Sequence, residues 1–125
     1  MFLNLLKPEE KAAYMTLAKR VISADSTIAK QEMILLEAMK KELDLSSTEP
    51  VQFLPDSVSI QELCNMFSSS KSKVSALMEL IGVGFVDGKF AHEEKEIIYQ
   101  IAEAMGISKE ETTMYIDWAK RVYVN

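Results

Sequence analysis

Val86-Asp87-Gly88-Lys89-Phe90-Ala91-His92-Glu93-Glu94 decides the reading of this chain, because its pattern already stands 62 positions earlier as Ala24-Asp25-Ser26-Thr27-Ile28-Ala29-Lys30-Gln31-Glu32. Each copy runs aspartate, two non-apolar residues, an apolar residue, alanine, two polar residues and glutamate, the order of a tight turn that enters a helix. The register persists downstream. It pairs Leu35 with Ile97, Leu36 with Ile98, Met39 with Ile101, Leu43 with Met105, Leu45 with Ile107, Phe53 with Tyr115 and Leu54 with Ile116. Two copies in so short a chain imply one pseudo-symmetric domain rather than a solenoid. The expected organisation is a single domain over residues 1–125, with copies at about 8–55 and 70–125 joined by 56–69.

With 125 residues and 48% hydrophobic content, the chain can bury one sizeable core and is too short for two independent ones. A formal net charge of -5 disfavours a nucleic-acid partner, whose footprint is a basic patch, and leaves cations and basic protein surfaces as the easier partners. The single cysteine, Cys64, has no second thiol for a disulfide or a zinc ribbon, which fits a cytoplasmic protein. Met1 to Pro8 carries no basic leader and no cleavage site, and no segment is long enough to span a bilayer, so membrane insertion is not expected.

Helical spacing dominates the chain. From Pro8, a good first helical residue, Ala12, Met15, Ala18, Val21 and Ile22 predict a helix ending near Ala24. Met33, Leu36, Ala38, Met39 and Leu43 predict a second, with Lys30, Glu37, Lys40 and Lys41 facing water. Ser46 to Glu49, Ser59 to Glu62 and Ser108 to Glu111 read as capping boxes, which place a short third helix after Ser46 and a fourth carrying Ile60, Leu63, Cys64 and Phe67. The polar run Ser68 to Lys73 reads as a turn and N-cap. Val74, Leu77, Met78, Ile81 and Phe85 form the next helix, and Ile97, Ile98, Ile101 and Met105 the one after, closed by Gly106. The last carries Met114, Tyr115, Ile116, Trp118, Ala119, Val122 and Tyr123, an apolar face expected to pack centrally. No strand periodicity competes. The fold class is therefore all-α, a bundle of six or seven helices with mostly antiparallel neighbours.

Two accounts of the acidic turns stand side by side. In the structural one, Asp25 and Asp87 bond nearby amides, Gly88 supplies a positive φ, Ile28 and Phe90 anchor the helix entrances, and Glu32 and Glu94 fall at the third helical position behind Ala29 and Ala91. In the functional one, alanine is a poor N-cap, which leaves the two glutamates without a hydroxyl partner. Pseudo-twofold packing then gathers Asp25, Glu32, Asp87 and Glu94 into an oxygen-ligand cluster for a divalent cation, Ca²⁺ or Mg²⁺ before Zn²⁺. His92 reads as an exposed first-turn residue and Cys64 as a small core hydrophobe. The spacing is not that of an EF-hand, since Lys89 and Ala91 fall where ligands are needed. With one histidine, one cysteine and no glycine-rich phosphate loop, no enzyme is expected. Met15, Met33, Met39, Met78 and Met105 sit at core spacing, and Trp118 reads as core.

The motifs Ala-Asp-x-x-Ile-x-x-x-Glu at 24–32 and Val-Asp-Gly-Lys-Phe-Ala-His-Glu-Glu at 86–94 lie between apolar helices. Each precedes a Leu/Met-x-Leu/Ile-Ser-x-x-Glu helix start. Together they resemble the TerB-like family, which takes in the tellurite-resistance protein TerB and the N-terminal domain of the co-chaperone DjlA. The likeness runs from about Pro8 to the C-terminus and departs at Ser26, where the family usually carries glycine. It implies an all-helical duplicated fold, an acidic metal-binding surface at Asp25, Glu32, Asp87 and Glu94, a non-enzymatic role in tellurite and chemical-stress resistance, and protein partners. The His-Pro-Asp signature of a J-domain is nowhere present, so a direct co-chaperone role is not expected. A protein-interaction module or scaffold without a metal site remains the alternative.

Overall fold

A computed structural model describes residues 6–24, 30–45, 52–85 and 90–123, with side chains at 33–43 in the second stretch. Among them the chain forms six helices and no strand: α1 (Pro8–Ile22), α2 (Lys30–Leu45), α3 (Ile60–Asn65), α4 (Ser70–Gly84), α5 (His92–Ala104) and α6 (Lys109–Tyr123). α4 begins and ends 62 positions after α1, and α5 begins 62 positions after α2.

α1 lies at the centre, packed against α2, α3, α4 and α5. Its interior positions read Ala13-Tyr14-Met15-Thr16-Leu17-Ala18 without a break, and all six are buried. A helix apolar on nearly every side has to be surrounded by other elements. α4 supplies Ala76, Leu77, Leu80 and Ile81 to the same core, and α5 supplies Ile98, Ile101 and Ala102. Each fully buried large apolar side chain stabilises the fold by about 1.5–3 kcal/mol relative to exposure.

The caps follow the sequence closely. Ser59 Oγ accepts the Glu62 amide at 3.1 Å, and Glu62 Oε1 accepts the Ser59 amide at 3.2 Å. Ser69 caps α4 by accepting the Ser72 amide at 3.1 Å, so the serine run is a turn and N-cap. At the end of α5, Gly106 adopts φ 79, and the Ile107 amide reaches back to the Ala102 carbonyl at 2.9 Å, the left-handed closure expected of that glycine. At α6 the box is half formed. Ser108 Oγ accepts the Glu111 amide at 3.1 Å, while the Glu111 carboxylate meets the Tyr115 hydroxyl instead of turning back.

Three expectations need correction. The helix expected after Ser46 falls partly on residues 46–51, outside the described ones, and residues 52–59 are irregular rather than helical. There the Leu54 amide donates to Thr16 Oγ1 at 2.9 Å, and Arg20 donates to the carbonyls of Pro55, Asp56 and Val58. Two polar residues one turn apart on α1 thus take the loop's backbone groups out of helical pairing. In α2, Met33 and Ala38 are exposed, whereas Leu36, Met39 and Leu43 are buried; the last three share one narrow stripe, with Met33 at its edge and Ala38 behind it. In α6, Met114, Trp118, Val122 and Tyr123 are exposed. That helix meets α4 and α5 through Thr112, Ile116 and Ala119, and Trp118 points away from the core.

The N-terminus of α1 is joined to that of α4 by one buried carboxylate. Glu10 Oε1 accepts the Lys7 amide at 2.9 Å, and Oε2 accepts the Ser68 amide at 2.8 Å and the Ser68 hydroxyl at 3.1 Å. Burial raises its pKa, but the bonds from Lys7, Ser68 and Ser72 outweigh burial and hold the carboxyl below its ordinary value. A lowered folded-state pKa stabilises the fold fully above the unfolded value, and the contribution disappears as pH falls through the folded one. Glu10→Gln should therefore cost about 1.5–3 kcal/mol at neutral pH, the range for hydrogen bonds to a charged group. In urea unfolding, the gap between wild type and variant should close as the pH drops below the ordinary carboxylate value of 4.5.

Candidate functional site

Of the four carboxylates proposed as ligands, Asp25 and Asp87 lie outside the described residues. Glu32 is the third residue of α2, and Glu94 is the third residue of α5. Glu94 is buried at 4% exposure, and its Oε1 accepts the Ala91 amide at 3.0 Å. It thus performs the returning half of a capping box whose N-cap, Ala91, has no side chain to perform the other half. Glu93 and Glu94 place two carboxylates in the first turn of α5, where the helix dipole favours negative charge. Among the described residues no three of His, Cys, Asp and Glu are grouped to hold a metal.

The approach to that turn is set by packing that the sequence reading did not single out. A β-carbon on Gly84 would lie 2.2 Å from Phe90 Cε2, so the Phe90 ring rests directly on the α4 backbone. The same ring has its centroid 4.6 Å from that of Phe85. Phe85 and Phe90 flank residues 86–89, which lie outside the described ones, and their contact sets the approach to α5 against the end of α4. A signal existed in the repeat register, where Gly84 pairs with Ile22 and Phe90 with Ile28.

The remaining chemistry-bearing residues fall elsewhere. His92 is exposed at the start of α5, with Nε2 3.0 Å from Glu96. Cys64 is buried with Sγ 3.7 Å from the Ile101 carbonyl, and burial pushes its thiol up to about 11, as suits an inert core residue. An open groove of about 920 Å³ runs between α5 and the start of α6. Its lining sets Lys95 and Lys109 against Glu96 and Glu103, so it favours neither sign of charge. In the core, the Tyr14 hydroxyl donates to Met39 Sδ at 3.5 Å, and burial, with the carboxylates of Glu79 and Glu42, holds it well above the usual phenol range. Glu79 is raised by desolvation, with Glu42 adding repulsion.

These features define an all-α domain in which α1 and α2 recur, at one fixed offset, as α4 and α5, and in which the second helix of each pair carries a glutamate at its third position. A family model described as tellurite resistance protein TerB matches residues 11–115, and the chain belongs to the TerB family. No match is found among curated proteins or solved structures. No helix among the described residues is long and apolar enough to cross a membrane.

The Gly84–Phe90 contact gives a test of this packing. Gly84→Ala should destabilise the protein by about 1–3 kcal/mol through overpacking. The same substitution in a Phe90→Ala background should cost under about 0.5 kcal/mol beyond Phe90→Ala alone, since the clashing ring is gone. Thermal unfolding of the four proteins in this double-mutant cycle measures the difference.

Proposed function

We propose that the chain is a non-enzymatic, cytoplasmic stress-response domain that binds a divalent cation, Ca²⁺ or Mg²⁺ before Zn²⁺, through Asp25, Glu32, Asp87 and Glu94, and works through protein partners in tellurite-type resistance. The observation that carries this reading is positional: Glu32 and Glu94 are each the third residue of helices that begin 62 positions apart, and an aspartate stands seven residues before each. Glu94 Oε1 accepts the Ala91 amide, which fixes that carboxylate at the start of α5. Hard oxygen ligands suit Ca²⁺ and Mg²⁺, whereas exposed His92 and buried Cys64 sit on different helices and supply no zinc set.

A second reading, a protein-interaction module without a metal, is favoured by the exposed apolar row Met114, Trp118 and Val122 on α6.

Calorimetric titration of the metal-stripped protein with Ca²⁺, Mg²⁺ and Zn²⁺ separates the two. Asp87→Asn/Glu94→Gln leaves an oxygen at position 94 for the Ala91 amide while removing both charges, so the fold is expected to survive. Metal binding predicts saturable heat with Ca²⁺ or Mg²⁺, weakened at least about tenfold in that variant and in Asp25→Asn/Glu32→Gln. An absence of saturable heat with every ion would return the four residues to turn and cap duty and leave the interaction module standing.

A further inference from the structure

α6 carries an unusual load of exposed apolar surface for one helix. Met114 is 63% exposed, Trp118 47% and Val122 53%, and the three follow one another at four-residue intervals as a continuous ridge. The helix is also polar along its length, with Glu110 and Glu111 in the first turn and Lys120 and Arg121 in the last. Glu110 and Arg121 are three turns apart and project on the same side of the ridge, since eleven residues at 100° each return within about 20° of the starting direction. Both are exposed, and neither makes an ion pair among the described residues.

We propose that this ridge pairs antiparallel with the same ridge of a second copy of the chain. An antiparallel twofold keeps each flank facing its own counterpart and reverses the order along the axis. With the twofold near Ile116, Met114 of one copy lies against Trp118 of the other, and Glu110 comes level with Arg121 at both ends. A shallow crossing of about 20° keeps these long side chains within reach of each other. One surface thus supplies its own apolar contact and its own complementary charges, which a partner of uniform charge would not satisfy. A single helix pair buries less than a standard interface, so the association belongs to the weak, concentration-dependent class. It is independent of the cation reading, because none of the four proposed ligands lies on α6.

Sedimentation velocity of the full chain from about 10 µM to 1 mM, a range that brackets weak association, tests the proposal. Emission from Trp118, the single tryptophan, reports burial of the ridge directly. The expected result is a dimer that grows with concentration, accompanied by a blue shift. Arg121→Glu should weaken it at least tenfold, and the swapped pair Glu110→Arg/Arg121→Glu should return it to within about threefold of wild type. All these positions are exposed, and circular dichroism of each variant is expected to match wild type. A monomer throughout the range would overturn the proposal, as would a dimer indifferent to Met114→Ser/Trp118→Ser or a swap that fails to restore association.

Discussion

A helix buried on almost every side has to satisfy its own polar side chains inside the protein, and α1 is in that position. Glu10, Thr16 and Arg20 lie within or beside the core, and none can be left unbonded there without a cost of about 1–3 kcal/mol or more. Each meets the need by taking backbone groups from a different part of the chain. Glu10 holds the Ser68 amide ahead of α4, Thr16 holds the Leu54 amide, and Arg20 holds three carbonyls between Pro55 and Val58. Lys19 adds its ammonium 5.1 Å from the Phe53 ring centroid. The central helix is therefore also the element to which the irregular connection is tied.

Much of this was legible because it is local. Helix starts at Ser59, Ser69 and Ala91, the glycine closure at Gly106, and the buried stripes of α4 and α5 depend on residues within a few positions of one another. What was not legible depends on partners far along the chain. Glu10 reads as a first-turn acid that suits the helix dipole, and nothing near it announces Ser68. Trp118 reads as core because it is large and apolar, but burial requires something to pack against, and α4 and α5 approach α6 from the side of Ile116 and Ala119. Composition names the apolar residues of a helix; the neighbouring elements decide which of them are covered.

The acidic turns show the same division. That Glu94 would sit third in its helix, behind an alanine, follows from the sequence, and its oxygen on the Ala91 amide follows from that position. The seat of Phe90 on Gly84 does not follow from either residue alone. Aligned at the 62-residue offset, the two positions stand against Ile22 and Ile28. By themselves they are a glycine near a helix end and an aromatic before the next helix, and only the fold brings the ring onto the α4 backbone.

The two copies part company where the second forms α6. At the same offset, α6 corresponds to residues 47–61, and Asp117 in its middle corresponds to Pro55. Proline in a helix interior removes a hydrogen bond and clashes with the preceding turn, at about 3 kcal/mol or more, so the first copy cannot carry a helix of that length through the position. Leu54 still packs against the core where the second copy places Ile116, but it does so from a strap pinned by Thr16 and Arg20. Where the second copy runs as α6 with Met114, Trp118 and Val122 exposed, residues 52–59 of the first run as an irregular strap bonded to α1.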